Sequence, residues 1–223
     1  MPTVLVTGAN RGIGLEFARQ YAADGWDVVA CCRKPGEAKA LKKLDGAIEI
    51  EALDVGDDRA VAGLAKRLKG RPVDLLINNA GVYGPRSGTD TDAWLEVLQI
   101  NAIAPLRLSQ ALAGNVAHSA LKRIISISSG MGSIEDNDSG DDYIYRSSKA
   151  ALNMVMKGLS NELKDRGVIV VTLSPGWVKT EMGGKSAPLE PVDSVAAMRK
   201  LIGRLKLADS GKFLSHNGQA IAW

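Results

Sequence analysis

The chain has 223 residues, of which 45% are hydrophobic and 24% are charged, and its formal net charge is +3. This length supports one sizeable hydrophobic core, and the composition is ordinary for a folded protein. The small positive charge, without a dense block of Lys and Arg, argues against a nucleic-acid partner. We also expect no membrane partner, because no run of about 18 apolar residues is present.

Cysteine and histidine usage argues against metal and hydrolytic sites. Cys31 and Cys32 are adjacent on a predicted strand, so they should point to opposite faces as free thiols. Neither His118 nor His216 has a Cys, His or Asp cluster nearby, so we expect no metal site and no Ser-His-Asp triad. Free thiols, and an N-terminus without a basic region or cleavage site, favour a reducing cytoplasm and no secretory signal.

Short β-branched runs alternate with helical periodicity along the chain. Predicted strands lie at 4–6, 27–32, 48–54, 74–78, 123–128 and 168–173, and predicted helical segments at 15–23, 61–68, 95–112 and 150–163. Several strands are apolar on both faces, as a doubly covered parallel sheet requires. The pattern predicts an α/β fold for residues 1–223, a single Rossmann-type domain with a doubly wound parallel sheet.

A glycine-rich turn, Thr-Gly-Ala-Asn-Arg-Gly-Ile-Gly at 7–14, joins the first predicted strand to the first helix. Gly8, Gly12 and Gly14 let the backbone turn tightly and approach a pyrophosphate at the helix N-terminus. The spacing differs from GxGxxG, and such a segment can be only a turn. Its position after a leading strand, without a Walker lysine, predicts a dinucleotide site.

Cations near the end of the second predicted strand favour NADPH over NADH. An NAD site usually has Asp or Glu there to hold the ribose 2′-hydroxyl. In this chain Arg33 and Lys34 follow the strand, and Arg11 lies in the glycine turn. A guanidinium suits a 2′-phosphate, so we expect NADPH, with NADH possible. The alternative is that these cations are only solvated surface charges.

The segment Tyr-Ile-Tyr-Arg-Ser-Ser-Lys at 143–149 contains a candidate proton donor. Carbonyl reduction needs a hydride on carbon, which a nicotinamide supplies, and a proton on oxygen. Tyrosine can donate that proton, and a nearby cation lowers its usual pKa of about 10. At the i,i+4 spacing Lys149 shares a helix face with Tyr145, whereas Tyr143 points elsewhere. We therefore predict that Tyr145 is the acid, provided that a helix begins near it.

Several motifs in this order make nearly the whole chain resemble the short-chain dehydrogenase/reductase family. They are the glycine turn, Asn-Asn-Ala-Gly at 78–81, Asn101, Ser-Ile-Ser-Ser at 126–129, Tyr145 with Lys149, and Ser-Pro-Gly-Trp-Val-Lys-Thr at 174–180. The segments that start at Tyr145 and Ser174, and the ending Gly-Gln-Ala-Ile-Ala-Trp, are most similar to its C-factor and sniffer-type carbonyl reductase branch. The 129–145 interval is a few residues longer than the family pattern, which bears on substrate specificity and not on the reaction.

The resemblance implies a catalytic set of Asn101, Ser129, Tyr145 and Lys149. Lys149 would also hold the nicotinamide ribose, and Ser129 would hydrogen-bond the substrate oxygen and the phenol. Asn101 would anchor a water that relays protons to Lys149, although alone it would be interpreted as a helix-surface amide. Ser128 is the rival for the serine role, but alternation along a strand would turn it away.

The resemblance also implies a larger set of cofactor contacts. They are Gly8, Asn10, Arg11, Gly12, Ile13, Gly14, Arg33, Asp54, Val55, Asn79, Ala80, Gly81, Tyr145, Lys149, Pro175, Gly176, Val178 and Thr180. Asn78 would brace the central strand. Asp54 could instead cap the next helix, and the Pro-Gly pair at 175–176 is also a plain turn signal.

Three features bear on the substrate. The acidic segment 131–142, which has no Lys or Arg, either disfavours anionic substrates or is a solvated loop that salt screens. The Gly-, Ser- and Pro-containing segment 183–191 predicts a mobile substrate loop. Tyr83, Tyr143 and Trp177 are candidates for the pocket wall, and Trp177 could equally lie in the core.

The leading functional hypothesis is an NADPH-dependent reductase that acts on the carbonyl of an aldehyde or ketone. The alternative is a dinucleotide-binding signalling or sensor protein of the C-factor type with little turnover, although the intact catalytic set argues against it. A nucleotide-sugar epimerase or dehydratase would need a larger substrate domain. A homodimer or homotetramer through segments 95–112 and 150–163 is possible.

Overall fold

Seven parallel strands form one central sheet. The computed structural model describes residues 1–223 without a gap, and its strands are β1 (Thr3–Thr7), β2 (Asp27–Cys32), β3 (Ile48–Ala52), β4 (Leu75–Asn78), β5 (Arg123–Ile127), β6 (Ile169–Ser174) and β7 (Phe213–Ser215). Their order is β3-β2-β1-β4-β5-β6-β7, and every neighbouring pair is parallel. The chain winds outward from β1 and β4 in both directions, which confirms the predicted doubly wound α/β fold.

Helices cover both faces of the sheet. They are α1 (Gly12–Ala23), α2 (Asp58–Arg67), α3 (Thr91–Leu98), α4 (Ala104–Ala111), α5 (Ala113–Ala117), α6 (Tyr143–Glu162) and α7 (Pro191–Arg204). One hydrophobic cluster joins the sheet to α1 and α7, and the other joins it to α2, α4 and α6. None of these helices is both long enough and apolar enough to cross a membrane.

Side chains alternate between the two clusters along each strand, as the pleat of a strand requires. On β1, Val4 packs in one cluster and Leu5 in the other. On β2, Cys32 and Cys31 divide in the same way, and both are free and buried. The prediction of two free thiols on opposite faces is therefore confirmed.

Four elements differ from the prediction. The segment predicted as one helix at 95–112 contains a π-helical turn, Gln99–Ile103, between α3 and α4. Helix α6 begins at Tyr143, well before residue 150. Neither α7 nor β7 was predicted. Strand β7 has only three residues, which are too few to show an alternation of apolar and polar residues.

The segment 183–191 is tied to the chain that precedes it. Val178 pairs with Leu189 in an isolated bridge, and the Lys179 N–H donates to the Leu189 carbonyl at 2.8 Å. Pro191 then begins α7. Its missing N–H costs no helical hydrogen bond there, because the first N–H groups of a helix have no partner within it. The loop therefore begins and ends beside the carboxyl end of β6.

Gly14 offers a test of how tightly the first turn is packed. A Cβ on Gly14 would lie 2.3 Å from the Gly8 carbonyl oxygen, whereas a Cβ on Gly158 in α6 would meet nothing within 4 Å. We expect Gly14→Ala to lower the free energy of unfolding by about 1–3 kcal/mol or more. The control Gly158→Ala should raise it by about 0.5–1 kcal/mol, because alanine favours a helix. Urea denaturation of both variants measures the difference, and equal stability would contradict the packing described here.

Candidate active site

Tyr145 and Lys149 lie on the buried face of α6, where their side chains are only 7% and 5% exposed. The Lys149 Nζ donates to the Ile127 carbonyl at 2.9 Å and lies 5.6 Å from the centroid of the Tyr145 ring. Ile127 ends β5, so this lysine joins the helix to the sheet. Tyr143 begins the helix and is 55% exposed, so of the two tyrosines only Tyr145 is in the site.

Ser129, and not Ser128, faces the phenol. Ser128 is buried on the other side of the chain, where its hydroxyl donates to the Asn153 Oδ1 at 2.7 Å. The Ser129 hydroxyl accepts the Met131 N–H at 3.2 Å and interacts with the Tyr145 hydroxyl. The alternation expected of consecutive residues in extended backbone therefore separates the two serines.

Burial controls the protonation of the central pair. It raises the pKa of Tyr145 to about 12, and the neighbouring Ser129 hydroxyl offsets only part of this rise. Burial also lowers the pKa of Lys149 to about 8. The expectation that Lys149 lowers the tyrosine pKa is wrong for this structure, because removing the phenol from water disfavours phenolate more than the distant ammonium favours it.

Asn101 lies in the π-helical turn and is 1% exposed, so the alternative of a helix-surface amide is wrong. Its Oδ1 accepts the Val82 N–H at 2.9 Å, and its Nδ2 donates to the Val82 carbonyl at 2.8 Å and to the Ser148 Oγ at 3.0 Å. A Cβ on Gly81 would lie 3.2 Å from the Asn101 Oδ1 and 3.7 Å from the Lys149 Nζ. Gly81 thus marks the place where Asn101 and Lys149 approach each other.

The glycine turn leaves the N-terminus of α1 open to an anion. Arg11 occupies the N-cap position without a side-chain cap, and the first turn of the helix has no acidic residue. The first N–H groups of a helix have no partner within it and carry a partial positive charge. Gly8 has φ +64° and lies so close to Ala80 that a Cβ would come within 3.1 Å of the Ala80 Cα. These features fit the pyrophosphate of a dinucleotide.

Thr7 and Asn79 fix the turn to the end of β4. The Thr7 hydroxyl accepts the N–H groups of Asn79 and Ala80, both at 3.0 Å, and the Asn79 side-chain amide donates to the Thr7 carbonyl at 2.8 Å. Asn10 is exposed on the turn, and Ile13 is half-buried and packs against the core. The Asn78 side chain bonds two serine hydroxyls and braces β4 from inside, as expected.

The cations near the turn have different partners. Arg33 is exposed directly after β2, and Lys34 is paired with Glu37 at 3.1 Å. Arg11 reaches across the cleft to Glu181, with 2.9 Å between the Arg11 Nη1 and the Glu181 Oε2. Of the two predicted arginines, only Arg33 is outside an ion pair, and no carboxylate follows β2 directly to repel a phosphate.

Asp54 does not cap a helix. Its Oδ1 accepts the Gly56 N–H at 3.0 Å in a local turn, and α2 is capped by Asp57, whose side chain accepts the Arg59 N–H at 2.8 Å. The helix-cap alternative is therefore wrong. Val55, which follows Asp54, is half-buried and exposes an apolar side chain beside the end of β3.

The segment after β6 lies against the glycine turn. The Pro175 carbonyl accepts the Ser194 hydroxyl at 2.7 Å, and Gly176 has φ +81°. Val178 is buried, and a Cβ on Gly12 would lie 3.4 Å from the Thr180 methyl group. Of the predicted residues in this segment, Thr180 therefore approaches the first turn, at Gly12.

Trp177 does not lie in the core, because 57% of its side chain is exposed. Its Nε1 donates to the Gly183 carbonyl at 2.8 Å, which closes the loop on itself.

The acidic segment 131–142 is largely exposed. Its charge is partly neutralised, since Arg146 lies 3.6 Å from Asp141.

Four contributors to the site were not predicted: the hydroxyl of Ser148, the carbonyl of Ile127, the carboxylate of Glu181 and the stacking of Tyr83 on Tyr145. Ser148 precedes Lys149 on the same helix, so helical geometry could have placed it near Asn101 once that residue was in the site. The other three depend on contacts between distant parts of the chain, for which the sequence contains no local signal.

Comparison with known proteins identifies the family. The chain matches the family model described as short chain dehydrogenase over residues 2–190. It is 41% identical to the C-signal protein of Myxococcus xanthus over 155 residues, which cover 68% of this chain and 93% of that protein.

Two solved structures have the same fold along the whole chain. The carbonyl reductase Sniffer of D. melanogaster superposes with a TM-score of 0.93 at 31% identity, with 100% of both chains covered. An NADPH-bound carbonyl reductase from chicken fatty liver gives 0.93 at 38% identity, with 100% of this chain and 99% of that chain covered. The protein belongs to the short-chain dehydrogenase family of oxidoreductases.

Proposed function

We propose that this oxidoreductase uses NADPH to reduce the carbonyl of an aldehyde or ketone, with Tyr145 as the acid. The observation that carries the proposal is the convergence of a buried, neutral phenol with Lys149 and the Ser129 hydroxyl. The solved relatives named as carbonyl reductases support the substrate class. The bound nicotinamide would supply the hydride to the carbonyl carbon.

Tyr145 would supply the proton to the carbonyl oxygen. With its pKa raised to about 12 by burial, the phenol stays protonated at neutral pH, which suits an acid in the direction of reduction. Ser129, whose hydroxyl interacts with the same phenol, would donate a hydrogen bond to the substrate oxygen and hold it near the proton.

Lys149 would hold the nicotinamide ribose and stabilise the charge left on the phenol. Its pKa of about 8 leaves it mostly protonated at neutral pH, and its bond to the Ile127 carbonyl fixes its direction. Asn101 would act by bracing the segment at Val82, because its side-chain amide is fully engaged there and with Ser148. A water at Asn101 would therefore be bound through the main chain.

The cofactor contacts would divide between the two sides of the cleft. Backbone N–H groups of the turn at 8–14 would hold the pyrophosphate, and Arg33 would hold the 2′-phosphate, since Arg11 is already paired with Glu181. Asp54, Val55 and the 79–81 segment would contact the adenosine. The segment 175–180 would border the nicotinamide, and the loop near 183–191 would close over the substrate.

A second function is favoured by one observation, the identity with C-signal. In that alternative the protein would bind the dinucleotide as a ligand and turn over little. Measured turnover separates the two hypotheses directly, because a sensor would bind NADPH tightly without oxidising it in the presence of any carbonyl.

Helices α3 and α6 carry exposed apolar side chains, among them Leu95 at 59% and Met154 at 71% exposure. Exposed apolar groups on neighbouring helices are typical of subunit interfaces. We propose that this face forms the contact of a homodimer or homotetramer.

Replacement of the acid is the first test. Tyr145→Phe should lower kcat for carbonyl reduction by a factor of about 10²–10⁴, because the variant lacks the phenolic proton, and should change KM much less. Tyr143→Phe is the matched control and should behave like the wild type. The measurement is NADPH and NADH oxidation against a panel of aldehydes and ketones. Wild-type turnover in Tyr145→Phe would overturn the assignment.

Cofactor choice can be tested at Arg33. Arg33→Ala should weaken NADPH binding on the order of tenfold, through loss of a charge-assisted contact, and leave NADH binding unchanged. Lys34→Ala removes the same charge from the neighbouring residue, which is paired with Glu37, and should affect neither cofactor. Fluorescence titration gives both dissociation constants. An equal loss for NADPH and NADH would show that Arg33 does not bind the 2′-phosphate.

Burial of Lys149 predicts a pH-dependent stability. Its folded pKa of about 8 lies below its ordinary value of 10.5, so folding releases a proton between these values and stability rises with pH across this window. Lys149→Met lacks this dependence. The free energy of unfolding of the variant minus that of the wild type should therefore fall as pH rises from 8 to 10. Urea denaturation at several pH values checks this, and a constant difference would contradict it.

A further inference from the structure

A second tyrosine packs on the proposed acid. The rings of Tyr83 and Tyr145 are stacked, with 4.2 Å between their centroids and 12° between their planes. Tyr83 is half-buried in the segment after β4, and nothing in the chemistry described above uses it. We propose that Tyr83 is a positioning residue, which fixes the ring plane of Tyr145 and keeps that face of the ring dry. This inference rests on the proposed role of Tyr145.

The Tyr83 ring is itself held by its surroundings. The guanidinium carbon of Arg86 lies 4.7 Å from the centroid of the Tyr83 ring, which is a cation–π contact. The Tyr83 hydroxyl donates to the Met131 sulfur at 3.7 Å. Burial, and then the neighbouring Asp142 carboxylate, raises the pKa of Tyr83. The second ring is therefore neutral and is anchored at both its face and its hydroxyl.

The backbone on both sides of this stack is constrained. Asp142, which precedes α6, has φ 51° and ψ 33°, a left-handed conformation that is uncommon outside glycine, and its Oδ1 is buried without a hydrogen-bond partner. Gly84 has φ +77°, and a Cβ there would lie 2.7 Å from a Val97 methyl group. A strained non-glycine position such as Asp142 occurs preferentially where function fixes the chain, whereas glycine adopts a positive φ without strain.

The stack has a direct consequence for the acid. Burial is the main cause of the raised pKa of Tyr145, and Tyr83 covers a face of its ring. Removing that ring would admit water to the phenol, so the pKa should fall toward its usual value of about 10. It would also free the Tyr145 side chain to leave the orientation in which its hydroxyl meets Ser129.

Four charged groups lie near the stack, and one of them, Arg86, is itself in contact with the Tyr83 ring. The charged groups that face it are Arg86, from the segment after β4, and Asp142, Arg146 and Lys149, from α6 and its start. From β5 and the turn after it come only the Ser129 hydroxyl and the Met131 sulfur, which do not titrate in this range. Because the Tyr83 hydroxyl also raises the pKa of Tyr145, the loss of the ring is read from the difference between Tyr83→Leu and Tyr83→Phe, both of which lack that hydroxyl.

The experiment compares Tyr83→Leu, which removes the planar ring, with Tyr83→Phe, which keeps it. Tyr143→Leu is the control, since Tyr143 is an exposed aromatic residue on α6, the helix that carries Tyr145. Kinetics with an aldehyde give kcat and KM. In parallel, the protein without cofactor is labelled with ¹³Cζ-tyrosine and titrated by NMR. The chain has four tyrosines, and Tyr145→Phe assigns the Tyr145 resonance. Thermal unfolding verifies that each variant is folded.

For Tyr83→Leu we expect kcat to fall on the order of tenfold with a smaller change in KM, and the Tyr145 resonance to titrate at lower pH than in the wild type. Tyr83→Phe should restore kcat to within about threefold of the wild type, because it retains the stack. Tyr143→Leu should leave both measurements unchanged.

Wild-type kcat and an unmoved Tyr145 titration in Tyr83→Leu would overturn the inference. So would an equal loss in Tyr83→Phe, because it would assign the effect to the hydroxyl and not to the stack. Failure of the proposed function is a separate outcome: it appears as unimpaired turnover in Tyr145→Phe. The NMR titration requires no turnover, so it judges the packing of Tyr83 on Tyr145 in either case.

Discussion

The parallel pairing of β1 with β4 sets the position of everything else in the site. Thr7, at the end of β1, accepts the N–H groups of both Asn79 and Ala80 through one hydroxyl. Because these adjacent strands lead to helices on opposite faces of the sheet, their carboxyl ends border a crevice, where α/β proteins bind ligands. The close approach of Gly8 to Ala80 leaves no room for a side chain at that point. The open end of α1 is consequently held over the crevice.

A second constraint connects this crevice to Tyr145 and Lys149. Lys149 reaches from α6 to the Ile127 carbonyl at the end of β5, and Gly81, just after β4, lies beside both the lysine and Asn101. The end of β4 therefore takes part in both halves of the candidate site, with Asn79 bracing the glycine turn and Gly81 lying beside Asn101 and Lys149. The proposed cofactor site and the proposed acid can therefore meet without any movement of the sheet, since residues that follow β4 lie beside both.

The sequence could predict what depends on local periodicity. The i,i+4 relation of Tyr145 and Lys149 and the alternation of Ser128 and Ser129 both follow from regular backbone geometry, and the structure has them as expected. The π-helical turn could not be predicted, because the contacts of Asn101 with Val82 and Ser148 join three distant segments. The pairing of Arg11 with Glu181, the stack of Tyr83 and the short strand β7 likewise depend on tertiary contacts.

The direction of the Tyr145 pKa shows why chemistry inferred from spacing alone can be wrong. The spacing predicts that Lys149 lies near the phenol, where its charge favours phenolate. It does not predict the burial that favours the neutral form. Burial dominates before the proton moves, since Lys149 is itself desolvated and bonded to a carbonyl. If Tyr145 gives up its proton as proposed, the same lack of water would strengthen the attraction between the phenolate and the lysine. In the proposed reaction, a dry site would thus keep Tyr145 protonated until it reacts and would then stabilise the charge that the reaction creates.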